Sequence, residues 1–453
     1  MVLQPAFLFA GLVVVPVLVR SYWKGAEEAI WRWSVAVALM LSLFDAGVAI
    51  TARGALPAAA VLPPLLWLVS VIVTPRHRID VRGLRRLAIA TGALQVAWGA
   101  PVPLVLAAAW WLTGATLVRG VSDGVKELRR RIMVWTAVSS LSVLTGCALL
   151  LTGPGTVWQM VAAWLLAVGI AIRAGLFPFH AWIPDGLERG RIGPMAAFLC
   201  PQLGPLLLVT AMPAAADVVF RVLAILAIVT AVYSGIVLLV QQDVRRACGY
   251  LFVNQSAFVI AGICTRQPEA IAGALVLWCA AALAFMGISR AVLAVEARLG
   301  RLRLDRYHGT WEQMPILAGS FLLFGLAMTG FPGMASFIAE DLLIGGTTES
   351  FPGVGFGLVA SGVFTGIALL KMYFSLFCGA RAVAWPMRIR RRESIGFGVL
   401  ASLLLSFGLY PSPLLDAQMG FARRVVGASD LRRDDWHEVR AADPDRPLER
   451  ARQ

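Results

Sequence analysis

The chain has 453 residues, of which 59% are hydrophobic, and its formal net charge is +14. Water-soluble domains are only about 45–50% apolar, so this composition excludes an ordinary soluble protein and indicates a membrane protein. A charge of this size could also indicate a nucleic-acid ligand. Here, however, the basic residues lie in short loops between apolar runs, which is the pattern of membrane topology and not of a binding patch.

In chain order, apolar stretches of spanning length predict an all-α polytopic membrane protein with about fourteen transmembrane helices. The first stretch, from Val2 to Val19, is interpreted as a retained span, because no cleavage site with a polar mature domain follows it. The predicted spans are 3–19, 30–52, 55–75, 85–99, 102–118, 132–152, 157–177, 194–212, 218–240, 247–264, 270–289, 315–344, 355–378 and 395–410.

Lysine and arginine residues alternate between the two sides of these spans. Loops after odd-numbered spans hold most of them, as in the run Arg129-Arg130-Arg131, whereas even-numbered loops read "TGPGTVWQ" or "GGTTESFPG". Because basic loops stay in the cytoplasm, this alternation supports fourteen spans and predicts that both termini are non-cytoplasmic. We expect the membrane to be a bacterial inner membrane.

Two predicted spans are interrupted in the same way. The seventh contains Pro178, and the twelfth contains Gly330, Pro332 and Gly333. Proline removes a backbone donor, and freed carbonyls in lipid must be satisfied by protein or water. The breaks lie five spans apart, so the two halves have opposite orientation, and paired broken helices of this kind indicate a transport pathway. Ordinary proline kinks are the alternative.

This spacing predicts a division of the chain into five parts. Three spans precede two inverted five-helix repeats, spans 4–8 and spans 9–13, each with one broken helix, and a last span and a polar tail follow. We interpret the region from Arg423 to Gln453 as a solvated, partly disordered extension, because it is rich in both charges and poor in apolar residues. The parts are 1–80, 81–213, 214–385, 386–415 and 416–453.

Ionisable residues at membrane depth usually face water or a partner, and they cluster near the two breaks. They form a candidate ion pathway, or alternatively a fixed pairing that holds the broken helices in place. The candidates are Arg173, His180, Asp185, Glu340 and Asp341.

Three further charged residues have a simpler interpretation. Lys371 and Arg290 lie near predicted cytoplasmic ends and could extend to the interface, and Asp45 could form a hydrogen bond between helices. The cysteines lie singly in or near spans without a CxxC pair, so we interpret them as packing residues and expect no iron–sulfur or zinc site. They are Cys147, Cys200, Cys248, Cys264, Cys279 and Cys378.

The region around the first break resembles a known family. The segment "AIRAGLFPFHAWIPDGLERGRIGPMAAFL" is similar to the seventh-to-eighth-span signature of the antiporter-like subunits of respiratory complex I, membrane-bound hydrogenases and Mrp-type antiporters. "DVRRACGYLFVNQSAF", "MPILAGSFLLFGLAMTGFPGMASFIAEDLL" and "GIALLKMYFSLFCG" resemble the tenth, twelfth and thirteenth spans of that family. The resemblance covers roughly residues 80 to 415 and implies the two inverted repeats.

The resemblance also implies where charged residues are expected, and this chain departs from the pattern. Arg173 falls where the family usually has a lysine, and Glu340 falls on a position that is lysine or glutamate in different members. His180, Trp182, Pro184 and Asp185 match directly. Three other family charges fall on uncharged residues: the fifth-span glutamate near Trp110 or Trp111, the eighth-span lysine near Leu206, and the eleventh-span lysine near Phe285. A polar family position before the eighth-span lysine falls near Cys200.

These departures matter for proton transfer. A buried lysine can release its proton, whereas arginine stays charged and cannot relay one. Arg173 is therefore expected to be a fixed positive charge with an unknown counter-ion. The half from the fourth to the eighth span is poorly equipped to relay protons, while the second half keeps Glu340 and Asp341.

The resemblance implies an antiporter-like membrane subunit of a complex I type NADH–quinone oxidoreductase that contributes to redox-coupled proton translocation in a respiratory chain. The alternatives are a structural, non-conducting arm of such a complex, or a subunit of an Mrp-like or inorganic-carbon uptake transporter. Such a chain would be non-catalytic itself, since no nucleotide-binding or nucleophile motif is present. We expect no redox cofactor on this chain, peripheral and membrane subunits as partners, contact with bilayer lipid, and no nucleic acid.

Overall fold

The architecture is that of a computed structural model, which describes residues 14, 17, 27–52, 60–73, 81–99, 102–120, 126–152, 155–212, 216–380 and 389–442. The predicted first span therefore lies almost wholly outside the described residues. Within the described ranges the chain is helical, and its only extended pairing is an isolated bridge between Asp243 and Arg303. The predicted all-α membrane fold class is confirmed.

The described helices follow one another with short connections, as expected for antiparallel neighbours in a bundle. They are α1 Glu27–Ala52, α2 Leu62–Val73, α3 Val81–Gly99, α4 Pro103–Gly120, α5 Lys126–Thr152, α6 Thr156–Ala174, α7 Trp182–Arg189, α8 Ile192–Leu199, α9 Gly204–Thr210, α10 Asp217–Val240, α11 Val244–Cys264, α12 Pro268–Leu299, α13 Pro315–Ala327, α14 Ala335–Ser350, α15 Pro352–Phe377, α16 Arg391–Leu409 and α17 Ser412–Ala442.

Eight segments of the described chain are long and apolar enough to cross a membrane, with α8 and α9 taken together, and α2 and α13 are shorter apolar helices. Most predicted spans coincide with one of these helices within a few residues. The fourth and fifth predicted spans, 85–99 and 102–118, correspond to two separate helices, because α3 ends at Gly99 and α4 begins at Pro103. The total of fourteen spans and the two inverted repeats remain predictions.

Two regions differ from the sequence-based prediction. The eighth span was predicted to be continuous, but the helix stops at Leu199 and resumes at Gly204, where Pro201 and Pro205 each remove a backbone donor. The tail was predicted to be partly disordered from Arg423, but α17 continues to Ala442. The first half of α17 packs on the core through apolar residues three to four positions apart, and this stripe orders it. Its members are Leu415, Met419, Ala422 and Val426.

The centre of the bundle is formed by α11 and α12, whose side chains are almost all buried. The two helices pack against each other, and α12 also packs closely against α14. A Cβ atom on Gly273 of α12 would lie only 2.6 Å from the Ala339 carbonyl oxygen and 2.6 Å from the Leu343 amide nitrogen of α14. Small residues permit this close approach of membrane helices, so Gly273 holds α14, and with it Glu340, against the core.

We expect Gly273→Ala to destabilise the protein by about 1–3 kcal/mol, because the added methyl group meets backbone atoms that cannot move aside. The matched control is Gly319→Ala in α13, where an added Cβ has no neighbour within 4 Å. The midpoint of thermal unfolding, measured on the detergent-solubilised chain, should fall for the first variant and stay near the wild-type value for the second. Equal midpoints would contradict the close α12–α14 contact.

Candidate functional site

The first helix break separates α6 from α7 at residues 175–181. Gly175 ends α6 in the left-handed conformation at φ 74°, and the Phe177–Pro178 peptide bond is cis. The break leaves carbonyl groups at the end of α6 without helical partners. The Trp182 indole Nε1–H donates a 2.8 Å hydrogen bond to the Ile172 carbonyl, so the first residue of α7 satisfies the end of α6. Pro178 therefore lies in a non-helical segment of the described chain, and its place in a transport pathway stays a prediction.

Arg173, one residue before the end of α6, is buried and has only neutral partners. Its Nη1 donates to the Trp110 carbonyl at 2.9 Å, and its Nη2 donates to the Thr113 hydroxyl at 2.6 Å. The guanidinium group also lies 4.5 Å from the ring centroids of Trp110 and Phe198. Two aromatic faces and two hydrogen bonds therefore hold this cation. No carboxylate among the described residues forms an ion pair with it.

His180 lies within the same break and is surrounded by aromatic rings. Its ring stacks on Phe177 at a centroid distance of 5.8 Å and meets Tyr233 edge-on at 5.0 Å, with Tyr250 at 6.3 Å. The imidazole is 8% exposed, and its Nδ1 atom has no hydrogen-bond partner. A buried nitrogen without a partner is unusual, so this atom is available to a water molecule or a transferred proton.

Asp185 does not pair with Arg173 but belongs to a cluster of ion pairs with Arg131 and Arg246. We call the end of the bundle that carries these two arginines the arginine-rich end. Asp185 is 3.4 Å from Arg246 and 3.9 Å from Arg131, and Arg246 also binds Glu188 at 2.8 Å. These contacts join α5, α7 and α11. The arrangement matches the fixed pairing that the sequence left open for the charged residues near the breaks, whereas its role in an ion pathway stays a prediction.

The second break separates α13 from α14 at residues 328–334. Gly330 and Gly333 have φ values of 61° and 91°, which L side chains rarely adopt. The Glu340 carboxyl group lies in the space that a side chain at Gly330 would fill. In the described chain this carboxyl forms neither a hydrogen bond nor an ion pair. This non-helical segment contains Gly330, Pro332 and Gly333, and it makes room for a carboxyl group without a counter-ion among the described residues.

Asp341 is directed away from this break. It is exposed, as are Phe337 and Gly345, which lie four residues before and after it on the same helical face. Glu340 is on the inner side of α14 next to the break. The two adjacent carboxylates therefore face different surroundings, which the sequence did not distinguish.

Three consecutive polar residues in α11 form hydrogen bonds to α15, to the second break and to the break between α8 and α9, and the sequence analysis did not select them. Asn254 donates to the Ser361 hydroxyl of α15 at 2.7 Å, and Gln255 donates to the Met328 carbonyl at the second break at 2.9 Å. Ser256 donates to Gln202 at 3.3 Å, in the break between α8 and α9. Asn-Gln-Ser inside an otherwise apolar span was the signal available in the sequence.

Trp110, Leu206 and Phe285, which stand where the resemblance places further family charges, are buried and uncharged. Trp110 uses its indole N–H to donate to the Ser139 hydroxyl at 3.0 Å. Leu206 and Phe285 are fully buried, and Phe285 contacts Phe252 at a ring-centroid distance of 5.3 Å. No carboxylate or ammonium group replaces the missing ones at these positions.

The remaining charged residues have distinct surroundings. Asp45 is fully buried and accepts a 2.8 Å hydrogen bond from Gln95, as the sequence allowed. Lys371 is exposed and donates to the Leu239 carbonyl at 2.7 Å. Arg290 was expected to extend to the interface, but it is buried and donates to the Ser70 hydroxyl at 2.8 Å. It lies six residues, or more than one and a half helical turns, deeper in α12 than the ion-paired Glu296.

In the part of the chain that the structure describes, no group of three His, Cys, Asp or Glu side chains is placed to hold a metal ion.

Comparison with known proteins identifies the family. The model of the NADH:quinone oxidoreductase/Mrp antiporter transmembrane family matches residues 131–365, which is more than half of the chain. The chain belongs to this family, and the resemblance drawn from its motifs is confirmed. The matched region contains both breaks, Arg173 and Glu340.

Individual relatives agree with this assignment. NADH-quinone oxidoreductase subunit M of Mycobacterium tuberculosis is 30% identical over 266 residues, which are 54% of this chain and 46% of that protein. A chain of respiratory complex I from Thermus thermophilus has the same fold, with a TM-score of 0.81, 19% identity, and coverage of 92% of this chain and 99% of that one. A chain of the Mrp complex from Dietzia has the same fold, with a TM-score of 0.76 and 14% identity. The match covers 93% of this chain and 97% of that one. The chain spans about half the length of the curated relatives it matches.

Proposed function

We propose that this chain is an antiporter-like membrane subunit of a complex I type NADH–quinone oxidoreductase and that it contributes to proton translocation through its second half. The observation that carries the proposal is Glu340, a carboxyl group in contact with Gly330 at a helix break and without a counter-ion in the described chain. A carboxyl group can bind and release a proton, and charges inside the membrane commonly mark an ion route.

The first half plays a different part in this proposal. Arg173 is held by two hydrogen bonds and two aromatic rings, and a guanidinium group does not release its proton. It therefore acts as a fixed charge that joins the middle of α4 to the C-terminal ends of α6 and α8. Protons reach the centre of the bundle through water near the polar residues of α11. His180, whose Nδ1 has no partner, is the titratable group within the first break.

The assembly supplies what this chain does not carry. The quinone-reducing chemistry and its flavin and iron–sulfur groups belong to other subunits in this proposal, and soluble subunits dock on the arginine-rich face. The Mycobacterium tuberculosis relative is named as an NADH-quinone oxidoreductase subunit, the Methanosarcina mazei relative is named as an F(420)H(2) dehydrogenase subunit, and the structural neighbours belong to multi-subunit complexes. The bacterial inner membrane and the non-cytoplasmic termini are part of the same proposal.

Identifying the co-purifying subunits is the first test. The tagged chain, solubilised in mild detergent, should purify together with iron–sulfur and quinone-reducing subunits that mass spectrometry can identify. Recovery with small membrane subunits alone, or with one large soluble partner, would contradict the redox-driven assignment. That result would favour the transporter alternatives, to which the Mrp structural neighbour belongs.

A non-conducting arm is the second candidate, and one observation favours it. The positions of the missing eighth- and eleventh-span charges are occupied by Leu206 and Phe285, which are packed in the core. A pathway through these positions would lack titratable groups. The behaviour of Glu340 decides between the two candidates.

A further inference from the structure

A cavity of about 550 Å³ lies between α1–α4 and the second half of the chain, near the arginine-rich end. Its volume is within the usual range of ligand pockets. Most of its wall is apolar, and its polar residues come from several helices. Those with a charged side chain are Arg86, Arg191, Arg245, Arg290 and Glu393.

Two of the charged side chains at this cavity, Arg245 and Glu393, form ion pairs with residues outside the cavity wall. Arg245 binds Glu296 at 2.6 Å, and Glu393 binds Arg298 at 2.7 Å. Arg290 differs, because its side chain is only 4% exposed and no acidic residue of the described chain pairs with it. Its partners are the Ser70 hydroxyl at 2.8 Å and the Met286 sulfur at 3.5 Å, both neutral. Burying an unpaired cation is costly, so the cavity has an uncompensated positive charge in its wall.

The start of α8 adds to this positive potential. Arg191 precedes the helix, and a Cβ atom on Gly193 would lie 3.2 Å from Nη1 of Arg290, so the guanidinium group lies against the first turn. Helix N-termini attract anions through their free amide groups and the helix dipole. Arg173 has neutral partners as well, but two aromatic rings enclose it and leave no room for a ligand.

We propose that this cavity binds one anionic phospholipid. Its phosphate group lies between Arg290 and the first turn of α8, and the first part of one of its two acyl chains lies along the apolar wall formed by Leu84, Leu87, Leu117 and Leu293. The rest of the lipid extends out of the cavity into the bilayer, because a whole phospholipid is larger than the cavity. A lipid satisfies both features of the cavity, since it supplies the negative charge that Arg290 lacks and an apolar chain for the leucine wall. The lipid joins the N-terminal helices to the second half. This inference is independent of proton transfer.

The proposal is tested by native mass spectrometry of the full tagged chain, delipidated and titrated with phosphatidylglycerol or phosphatidylcholine. Phosphatidylglycerol should bind at one site at least about tenfold more tightly than phosphatidylcholine. Arg290→Gln should remove that preference, because phosphatidylcholine balances its phosphate with its own quaternary ammonium group, whereas the net negative charge of phosphatidylglycerol is compensated only by the guanidinium group of Arg290. The matched control is Lys371→Gln, which removes a positive charge outside the cavity and should leave binding unchanged.

A second variant covers the case in which Arg290→Gln does not fold. Ala90→Trp fills the cavity from α3, where Ala90 is only partly buried, and it leaves Arg290 in place. It should abolish the tight phosphatidylglycerol site. Unchanged binding by a folded Ala90→Trp variant would overturn the proposal. Equal binding of the two lipids, or binding of inorganic phosphate that phosphatidylglycerol does not displace, would overturn it as well.

Discussion

Glu340→Gln is expected to remove this chain's share of proton translocation while the complex still assembles. Glutamine has nearly the same shape as glutamate but cannot bind and release a proton. Loss of a positioned proton-transfer group commonly slows transfer by about 10²-fold or more, so the flux through this chain should fall to the passive leak. The measurement is the ratio of protons translocated to quinone reduced, made with the purified complex in sealed proteoliposomes.

The adjacent residue provides the matched control. Asp341→Asn makes the same chemical change one position along α14, but Asp341 is on the exposed face and does not contact the break. The ratio should therefore stay at the wild-type value in this variant. Glu340→Asp should keep part of the activity, because it retains the titratable group with a shorter reach. A normal ratio in an assembled Glu340→Gln complex would establish the non-conducting arm instead.

The pair also shows what sequence could and could not establish about the site. Both helix breaks were predictable, because Pro178 and the Gly330–Gly333 segment carry a chemistry that continuous helices do not tolerate. The different surroundings of Glu340 and Asp341 were not, since neighbouring carboxylates in an apolar span look equivalent until the helix is placed against its neighbours. Orientation depends on packing with α12, which lies far away in sequence.

The missed elements have similar physical reasons. The break at Cys200–Leu203 lies within a stretch that is apolar except for Gln202, so the length of the stretch predicted one span despite Pro201 and Pro205. The helix in 412–442 was missed because its charged residues dominate the composition, although its first half has an apolar stripe. Arg290 was placed at the interface because its partner, Ser70, is 220 positions away in the chain.

The partners of Arg173 were also beyond the reach of the sequence. The resemblance places Arg173 at a family lysine position and leaves its counter-ion unknown. The structure instead provides a carbonyl group, a hydroxyl group and two aromatic faces, contributed by α4 and α8. Neutral groups of this kind are common in apolar helices, and only the fold assembles them around one side chain.

This environment leads to the second large expected effect, which is that Arg173→Lys destabilises the protein more than Arg173→Met does. Lysine keeps the cost of burying a charge, but it loses the planar fork that makes both hydrogen bonds and stacks between the rings. Hydrogen bonds to charged groups contribute about 1.5–3 kcal/mol each, so the loss of both should cost about 3–6 kcal/mol. Methionine loses the same contacts but also removes the desolvation cost, which is several kcal/mol in itself.

Two measurements on the same variants separate a structural from a conducting role. The midpoint of thermal unfolding in detergent should rank wild type above Arg173→Met and Arg173→Met above Arg173→Lys. The proton-to-quinone ratio per assembled complex should be unchanged in Arg173→Met, the opposite of the result expected for Glu340→Gln. A stable Arg173→Met complex that no longer translocates protons would show that the fixed charge itself is required in the pathway, and a lysine variant as stable as wild type would show that charge matters there more than the geometry of the guanidinium group.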